Sequence, residues 1–474
     1  MKTFIYGLLL IGIAPAYFAQ NGNDWDLQKC VDYAQKHNIS LKQSEITTQI
    51  NKNNTLQSEA AILPTINLGA QHTYNFGRTI DRYTNTFANS RVLSQNFYAS
   101  SNVVLWSGLA QYNNIQATKY QYLASTENYL QLRNDLALNV ATTYINVIFS
   151  EEILHIAKIS YSLTLEQLAR TEKLADAGTV AKSAVYDVKA QLANDDVTVT
   201  NADNNYQIAM LTLKQLLNID TLNSFTIVRP DLDIMNNELA STSVQNIYET
   251  ALKNQHSIKS SNYTLLASER NLNTAKGKVS PTLSITGSVG TGTSELNKKV
   301  ISSRYNGYDP VAGTIDGSNI IVYQPHVDVV TEKTPFADQF KDNVNKSIGF
   351  TLNVPIFNGL QTLTGVKNAK LNVLNAKYSQ DLVHQNLYKT IAQAYANSKA
   401  ALNKFNANKA SVNASEQSFM YAQQKYTVGA ISTFDYNSAK TRLMNAQSNL
   451  VQAKYDYVFK LKVLDYYQGK ELKF

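Results

Sequence analysis

The residue types that most often carry out catalysis or bind metal ions are few and scattered in this sequence. The 6 histidines form no HExxH or similar ligand spacing; they are His37, His72, His155, His256, His326 and His384. The single cysteine, Cys30, excludes an internal disulfide, and we expect it to be a buried thiol. No nucleophile elbow or phosphate-binding loop is present, and the glycines at 290 and 292 lack the third glycine of a dinucleotide-binding fingerprint. The sequence therefore predicts no catalytic site, no metal site and no cofactor, and we expect no enzymatic activity.

The net charge is weak and diffuse. Lys and Arg number 43 against 36 Asp and Glu, which gives a formal net charge of +7 with only 17% of residues charged, whereas about 25% is typical. The polar surface consists instead of Asn, Gln, Ser and Thr. Nucleic-acid-binding proteins need a concentrated basic stripe, so we expect no nucleic-acid partner.

Residues that break helices are rare and unevenly placed. The chain has 8 prolines and 19 glycines, and no proline occurs between Thr65 and Arg229 or after Ile356. A turn-rich β-sandwich or a low-complexity linker needs frequent breakers. The sequence therefore predicts very long helices.

The N-terminus has the three-part layout of a secretory signal peptide. Lys2 precedes an apolar run at 4–14, and small residues follow at Ala16 and Ala19. We expect residues 1–19 to be the signal peptide. No later stretch has 18 apolar residues in a row, whereas a membrane helix needs about 20; if the mature chain spans a membrane, we expect it to use strands.

The chain contains two repeats of one pattern. An offset of 251 residues relates Trp106 to Phe357, Gly178 to Gly429, and Tyr206 to Tyr457. Upstream, an offset of 217 relates Pro64 to Pro281. We predict a first structural repeat at 20–229, an inter-repeat linker at 230–240 and a second repeat at 241–474. Each repeat should contain a helix, a β-hairpin, a long helix and a shorter helix.

The predicted helices precede and follow the hairpins. We expect helices at 24–61, 241–279, 109–176 and 360–427. The last two would each be roughly 100 Å long. Glycine after a helix is a common C-cap, so we expect Gly178 and Gly429 to end the long helices, each followed by a shorter helix.

The hairpin segments alternate apolar and polar residues with a period of two, which predicts strands with one apolar face. The alternation is clear from Thr65 to Phe76, after Thr282 and from Ser347 to Ile356, and less regular between Asn96 and Trp106. Strands of about 10 residues with aromatic residues near their ends suit a membrane barrel; an ordinary half-buried hairpin is the alternative. We expect residues 290–346 to form a long extracellular loop.

Three stripes of mostly small or apolar residues recur with spacings of four and three, which predicts left-handed coiled-coil packing. In the shorter helices the stripes are Val188, Leu192, Asp195, Val199, Ala202 and Tyr206, and Ala439, Leu443, Ala446, Leu450, Ala453 and Tyr457. In the last long helix the stripe is Ala396, Ala400, Asn403, Ala407, Ala410 and Ala414. We expect these stripes to be packing seams.

Short motifs occur in a fixed order along these repeats. They include the strand ends Trp106–Gly108 and Phe357–Gly359 and the turn Tyr426–Gly429 followed by Ser432 and Asp435. Together with the signal peptide and the two repeats, they resemble the TolC family of outer-membrane efflux proteins over essentially the whole mature chain. The resemblance implies a mainly α fold with a small β part. Long antiparallel coiled-coil helices would form a periplasmic α-barrel, and four strands per chain would contribute to a 12-stranded transmembrane β-barrel shared within a trimer.

The resemblance also implies a function and partners. The protein would be a trimeric channel-tunnel in the outer membrane of a Gram-negative bacterium, extending into the periplasm. It would be the exit duct of a tripartite efflux or type I secretion system for small molecules, such as drugs or toxic compounds, or for proteins. The expected partners are the other subunits of a homotrimer, a periplasmic adaptor (membrane fusion) protein, an inner-membrane pump of the RND, ABC or MFS type, and outer-membrane lipid.

The resemblance places the periplasmic entrance in the segment 426–442. Well-studied members carry two acidic residues three positions apart there; Asp435 matches the first, Ser438 occupies the second, and Ile431 stands where an arginine can lock the closed state. A trimer would present one ring of three carboxylates, so we expect weaker cation selectivity than two rings give, and a closed state held by other contacts. The alternative is that Asp435 is a helix N-terminal acid favoured by the helix dipole.

The remaining candidate residues lie at the turns and the strand ends. The turn candidates are Tyr426, Gly429, Gly178 and Asp187, although the family's acidic position in the first repeat corresponds more nearly to Ala184. The candidates for an aromatic girdle at the membrane interface are Trp106, Phe357, Tyr74, Phe76 and Phe350. Any one of them could instead be an ordinary core residue.

A secreted or surface coiled-coil adhesin or structural protein is the alternative function. Such a protein would also be exported and rich in long helices. It does not account for amphipathic hairpins at matching places in both repeats.

Overall fold

The computed structural model of the chain describes residues 24–88, 91–219, 225–229 and 243–470. The expected signal peptide at 1–19 and the inter-repeat linker at 230–240 lie outside the described residues.

Helices dominate the described chain, which confirms the mainly α prediction. They are α1 (Leu27–His37), α2 (Ile39–Ala60), α3 (Ala110–Asp176), α4 (Lys182–Leu217), α5 (Val244–Asn254), α6 (His256–Gly277), α7 (Phe336–Asp342), α8 (Gln361–Thr427) and α9 (Thr433–Tyr467). The long helices α3 and α8 each contain 67 residues, within one residue of the predicted bounds. Among the helices of the described residues, none combines the length and the apolar character needed to cross a membrane.

The strands are shorter and form a minor part of the chain. They are β1 (Asp24–Trp25), β2 (Thr65–Asn75), β3 (Thr79–Ile80), β4 (Phe87–Ala88), β5 (Val92–Trp106), β6 (Thr226–Ile227), β7 (Thr282–Ser294), β8 (Lys298–Ile315), β9 (Ser318–Lys333) and β10 (Asn345–Asn353). Four of them form an antiparallel sheet in the order β10-β7-β5-β2. The edge strands of this sheet are therefore β10 and β2.

Each helix that precedes a hairpin is broken in two, which the sequence did not predict. The break lies at Asn38 in the first repeat and at Gln255 in the second, and these positions are related by the same offset of 217 residues. Both residues are extended, with ψ of 125° and 129°, and each N–H still bonds the carbonyl of a buried alanine, Ala34 or Ala251. The break is therefore an ordered feature that both repeats share.

The described residues fall into two compact units. One unit comprises residues 1–51, 121–265 and 375–474, and the other comprises 52–120 and 266–374. The first unit has a core in which Cys30, Tyr144 and Leu213 are fully buried. Cys30 is a buried free thiol, as predicted, and burial, with a contribution from Asp26, raises its pKa to about 12.

Within the single chain, the predicted packing seams of α4 and α9 are largely buried and that of α8 is not. In α9 the stripe that contains Ala439, Leu443 and Ala453 is buried. The alanine stripe of α8 that starts at Ala396 and Ala400 is exposed. The buried stripe of α8 is Leu387, Ile391, Ser398, Ala401, Phe405, Val412 and Ser415. This second set also follows a spacing of 3.5 residues, so the helix carries two stripes and packs within the chain on the more apolar one.

The segment 290–346, which we expected to be a long loop, contains regular structure. The antiparallel strands β8 and β9 form a long hairpin, and the short helix α7 follows. Phe97 of β5 contacts Phe336 and Phe340 of α7, with ring centroids 6.3 and 5.5 Å apart. Valine, isoleucine and tyrosine are frequent in this hairpin and favour strands, which explains why the segment is not irregular.

Candidate functional site at the helix turns and the sheet

The turn between α8 and α9 has a defined backbone conformation. Gly429 has φ of 74°, in the left-handed region that favours glycine. The N–H of Ala430 donates to the carbonyl of Lys425 at 2.8 Å, and the N–H of Gly429 donates to that of Tyr426 at 3.2 Å. These bonds satisfy carbonyls at the end of α8. The predicted role of Gly429 at the helix end is therefore confirmed.

A capping box begins α9. The N–H of Asp435 donates to Oγ of Ser432 at 3.1 Å, and the backbone N–H of Ser432 donates to Oδ2 of Asp435 at 3.4 Å. The Ser432 hydroxyl also donates to Oδ2 of Asp435 at 2.7 Å. Asp435 and Ser438 are both exposed, and Ile431 is half-buried. The capping geometry supports the helix-terminal role for Asp435, and its exposure leaves a second role at an entrance open.

The turn of the first repeat resembles that of the second but is capped less completely. Gly178 has φ of 70°, and the N–H of Thr179 donates to the carbonyl of Leu174 at 2.9 Å. The N-cap of α4 is Ala181, which has no side-chain oxygen to bond the helix N-terminus. Asp187 is exposed on α4 beyond the first turn, so it contributes nothing to capping.

Side chains of α3 contact the end of α8. The guanidinium of Arg170 donates from Nη2 to the carbonyl of Thr427 at 2.8 Å and lies 6.0 Å from the ring centroid of Tyr426. The Tyr426 hydroxyl is 3.5 Å from Nε2 of Gln167 and from Oγ1 of Thr171. Arg170 is exposed and Tyr426 is half-buried. Contacts of this kind contribute about 0.5–1.5 kcal/mol each.

Aromatic stacking joins the turn to α9. The rings of Tyr426 and Tyr436 are stacked with centroids 4.7 Å apart, and Phe419 lies 5.5 Å from Tyr436. Burial raises the pKa of Tyr436, with a further contribution from Tyr426. Burial also acts to raise the pKa of Tyr426, but hydrogen bonds, led by that of Thr171, and the charge of Arg170 outweigh it and lower that pKa.

Sequence reasoning missed the α3 side of this contact. Arg170, Gln167 and Thr171 lie about 250 residues from Tyr426 in the chain, and only the packing of α3 against α8 brings them together. The local sequence of α3 carries no motif that marks them.

The four-stranded sheet has one apolar and one polar face. The strand pairings place Ile66, Leu68 and Tyr74 of β2 on the same face as Phe97 of β5, Ile285 of β7 and Phe350 of β10. The opposite face is formed by the alternate residues, which are mostly Thr, Ser, Asn, Gln and Gly. Leu68 is 83% exposed and Phe350 is 70% exposed. The apolar face is therefore uncovered over much of its area within the chain.

A β-bulge accounts for the irregular alternation near the end of β5. The pairing between β5 and β7 shifts between Val104 and Trp106, so Val104 lies opposite Ser284 and Trp106 lies opposite Leu283. The extra residue, Leu105, moves Trp106 from the polar face to the apolar face.

The girdle candidates lie at different heights along the sheet. Trp106 and Phe357 are at the ends nearest α3 and α8, and Tyr74 and Phe76 are at the opposite end. Phe350 lies between these levels, opposite Ile285. All five are exposed within the chain. Two candidates therefore lie at each end of the sheet and Phe350 lies within the apolar band; their place at a membrane interface stays a prediction.

Comparisons with known proteins agree with this architecture. The family model described as "Outer membrane efflux protein" matches residues 30–218 and 247–469. The outer membrane protein TolC of Escherichia coli (strain K12) is 25% identical over 95% of this chain and 83% of its own length. The outer membrane efflux protein BepC of Brucella suis is 23% identical over 90% of this chain and 81% of its own length.

Solved structures show the same fold. The crystal structure of the outer membrane protein VceC from Vibrio cholerae superposes with a TM-score of 0.75 at 15% sequence identity, over 94% of this chain and 97% of that chain. The resemblance inferred from the short motifs is confirmed, and the channel prediction is favoured over the adhesin alternative. The chain belongs to the outer membrane efflux protein family, whose members are non-enzymatic outer-membrane channels for efflux or type I secretion.

Proposed function

We propose that this chain forms a homotrimeric channel-tunnel in which three four-stranded sheets close into one membrane-spanning β-barrel. The observation that carries the proposal is the sheet itself. It has a largely uncovered apolar face for lipid, a polar face for the lumen, and two edge strands, β10 and β2, whose outer edges have no partner strand within the described chain. Closure with other subunits removes these edges.

The internal repeat indicates how the subunits pair. β5 of the first repeat pairs with β7 of the second, and their repeat equivalents are β10 and β2. Applying the two offsets to the pair Ser101 and Gly287 gives Leu352 and Ala70. We therefore expect Leu352 of one subunit to lie opposite Ala70 of its neighbour.

The corners between strands and helices give a second argument for this pairing. A Cβ added to Gly108 would lie 2.5 Å from the carbonyl oxygen of Gly277, whereas nothing lies within 4 Å of the equivalent position at Gly359. The repeat equivalent of Gly277 is Ala60. In a closed ring the end of α2 from a neighbouring subunit would fill the space beside Gly359.

Inter-subunit disulfides test the proposed pairing. The double variant Leu352→Cys/Ala70→Cys should form covalent oligomers under oxidation, read on a denaturing gel without reductant, while each single variant stays monomeric. The matched control Leu352→Cys/Gln71→Cys places the second thiol on the opposite face and should cross-link poorly. The buried Cys30 gives little background. Equal cross-linking of both pairs, or none in either, contradicts the proposed closure.

The entrance is proposed to lie at the turn between α8 and α9, where Arg170, Gln167 and Thr171 of α3 hold Tyr426 and Thr427. This contact set takes the place of the arginine lock that Ile431 cannot form. Asp435 would contribute one carboxylate per subunit to a ring at the mouth.

The proposed partners are a periplasmic adaptor and an inner-membrane pump of the RND, ABC or MFS type, with small toxic molecules or proteins as cargo. Family membership and the name of the efflux protein BepC support this proposal. A photo-cross-linking residue at Ser438, exposed beside the turn, should capture an adaptor in intact cells. The same residue at Asn67, on the polar face of the sheet, should capture none, and equal capture at both positions contradicts adaptor docking at the turn.

A further inference from the structure

A fully buried lysine joins three helices at some distance from the turn. Lys440 of α9 has a side chain that is 1% exposed. Its Nζ donates to Oδ2 of Asp195 at 2.8 Å, to the carbonyl of Ser160 at 3.1 Å and to the hydroxyl of Thr164. The ammonium group is therefore completely satisfied by α3 and α4.

The partners of Lys440 are held in turn. Asp195 of α4 accepts a bond from Nε2 of Gln191 at 2.8 Å and another from the hydroxyl of Thr164, which is itself fully buried. Asp195 occupies a position in the packing seam of α4 that is otherwise apolar or small. A charged residue in such a seam requires a buried partner of opposite charge. We call Lys440, Asp195 and Thr164 the anchor cluster.

The anchor cluster lies close to the proposed entrance but apart from the turn. Thr164 precedes Arg170 on α3 by roughly 9 Å, and Lys440 follows Thr433, the first residue of α9, by roughly 10 Å, at 1.5 Å per residue. At the turn, Arg170 is exposed and Tyr426 is half-buried, so water can replace the contacts that Arg170 makes, whereas Gln167 and Thr171 are themselves buried. Removing Lys440 from its site would leave Asp195 buried without a cation, which is far more unfavourable.

We propose that the anchor cluster is the fixed pivot of entrance opening: the turn moves away from α3 while α9 stays attached to α3 and α4 at Lys440. This inference rests on the proposed channel function. Lys440 is a positioning residue that limits how much of the α8–α9 hairpin can swing. The entrance width then depends on the length of hairpin between the pivot and the turn.

The test measures single-channel conductance in planar lipid bilayers with the entrance already opened by Arg170→Ala. Lys440→Met alone would leave the Asp195 carboxylate buried without a cation. The anchor cluster is therefore removed by the paired replacement Lys440→Met/Asp195→Leu, which exchanges the ion pair for apolar contact. We expect the triple variant to conduct roughly twofold more than Arg170→Ala alone, because a longer segment swings freely.

A matched control uses another lysine of α9. Lys460 pairs with Asp456 on its own helix at 2.8 Å, and both side chains are partly exposed. Adding Lys460→Met/Asp456→Leu to Arg170→Ala should leave the conductance unchanged. If the variant with all three replacements does not assemble, Thr164→Val added to Arg170→Ala is the substitute. It removes the hydroxyl that bonds both Lys440 and Asp195 while nearly keeping the side-chain volume. It should also increase the conductance.

The outcomes separate the two levels of the proposal. If Arg170→Ala opens the channel and removal of the anchor adds nothing, the pivot is wrong and the entrance assignment stands. If Arg170→Ala and the triple variant both conduct like the wild type, the entrance assignment fails, and the pivot fails with it. If Lys440→Met/Asp195→Leu without Arg170→Ala already increases the conductance, the anchor cluster holds the entrance closed, and the pivot proposal is wrong.

Discussion

Asp435 caps α9 through Ser432 and is exposed at the turn, so one carboxylate has a structural role and a proposed electrostatic role. The two roles differ in their dependence on charge. Capping requires the reciprocal bonds with Ser432, whereas attraction of cations requires only a negative charge at the mouth.

The variants Asp435→Asn and Ser432→Ala separate these roles. Ser432→Ala removes the cap and should lower the free energy of unfolding by about 1 kcal/mol, whereas Asp435→Asn keeps the bond to Ser432 Oγ and an acceptor oxygen and should lower it less. Only Asp435→Asn should reduce the cation preference, measured as the reversal potential across a bilayer with a potassium chloride gradient. An unchanged reversal potential in Asp435→Asn would show that the carboxylate serves only as a cap.

Arg170 provides the charged contact between α3 and the end of α8. Arg170→Ala removes the bond to the Thr427 carbonyl and the contact with the Tyr426 ring, so we expect a several-fold increase in passive uptake of a large antibiotic by intact cells. Lys173→Ala removes the same charge from the last turn of α3 and is the matched control. Equal uptake by both variants would mean that charge, and not the Arg170 contact, closes the entrance.

At the scale of elements, the strands of the sheet are the part whose environment is most easily tested. Leu68 and Asn67 are adjacent in β2 but lie on opposite faces, and both are exposed within the chain. A lysine introduced at each of these two positions should therefore change the stability of the inserted protein by different amounts if one face contacts lipid and the other contacts water.

We predict that Leu68→Lys lowers the stability of the membrane-inserted protein by about 2–4 kcal/mol, the cost of a lysine facing lipid near the bilayer centre. Asn67→Lys should have an effect near zero, because its side chain faces the lumen. The measurement is the folding free energy in lipid vesicles by urea titration. A larger loss for Asn67→Lys than for Leu68→Lys would reverse the assignment of the faces.

At the scale of the whole molecule, the sequence predicts the features that depend on local chemistry. Long helices follow from the absence of prolines, and the turns at Gly178 and Gly429 follow from glycine's access to positive φ. The structure also has strands in the segments that alternate with a period of two, and a long helix followed by a shorter one after each pair of sheet strands.

Features that depend on packing between distant segments were not predictable. α8 has two stripes with the same spacing, and only the fold selects the one that contains Ile391 and Phe405. The contact of Arg170 with Tyr426 joins segments with no local motif. Asp195 in the α4 seam was a usable indication of a buried partner, but the sequence alone does not identify Lys440.

The central claim is that three chains form one channel whose periplasmic end is held closed by contacts between α3 and the turn after α8. The most direct test is single-channel conductance of the purified, unheated trimer in a planar lipid bilayer. We expect small, uniform conductance steps for the wild type and clearly larger steps for Arg170→Ala. An inserted trimer with no conductance in either form, or with the same conductance in both, would contradict it.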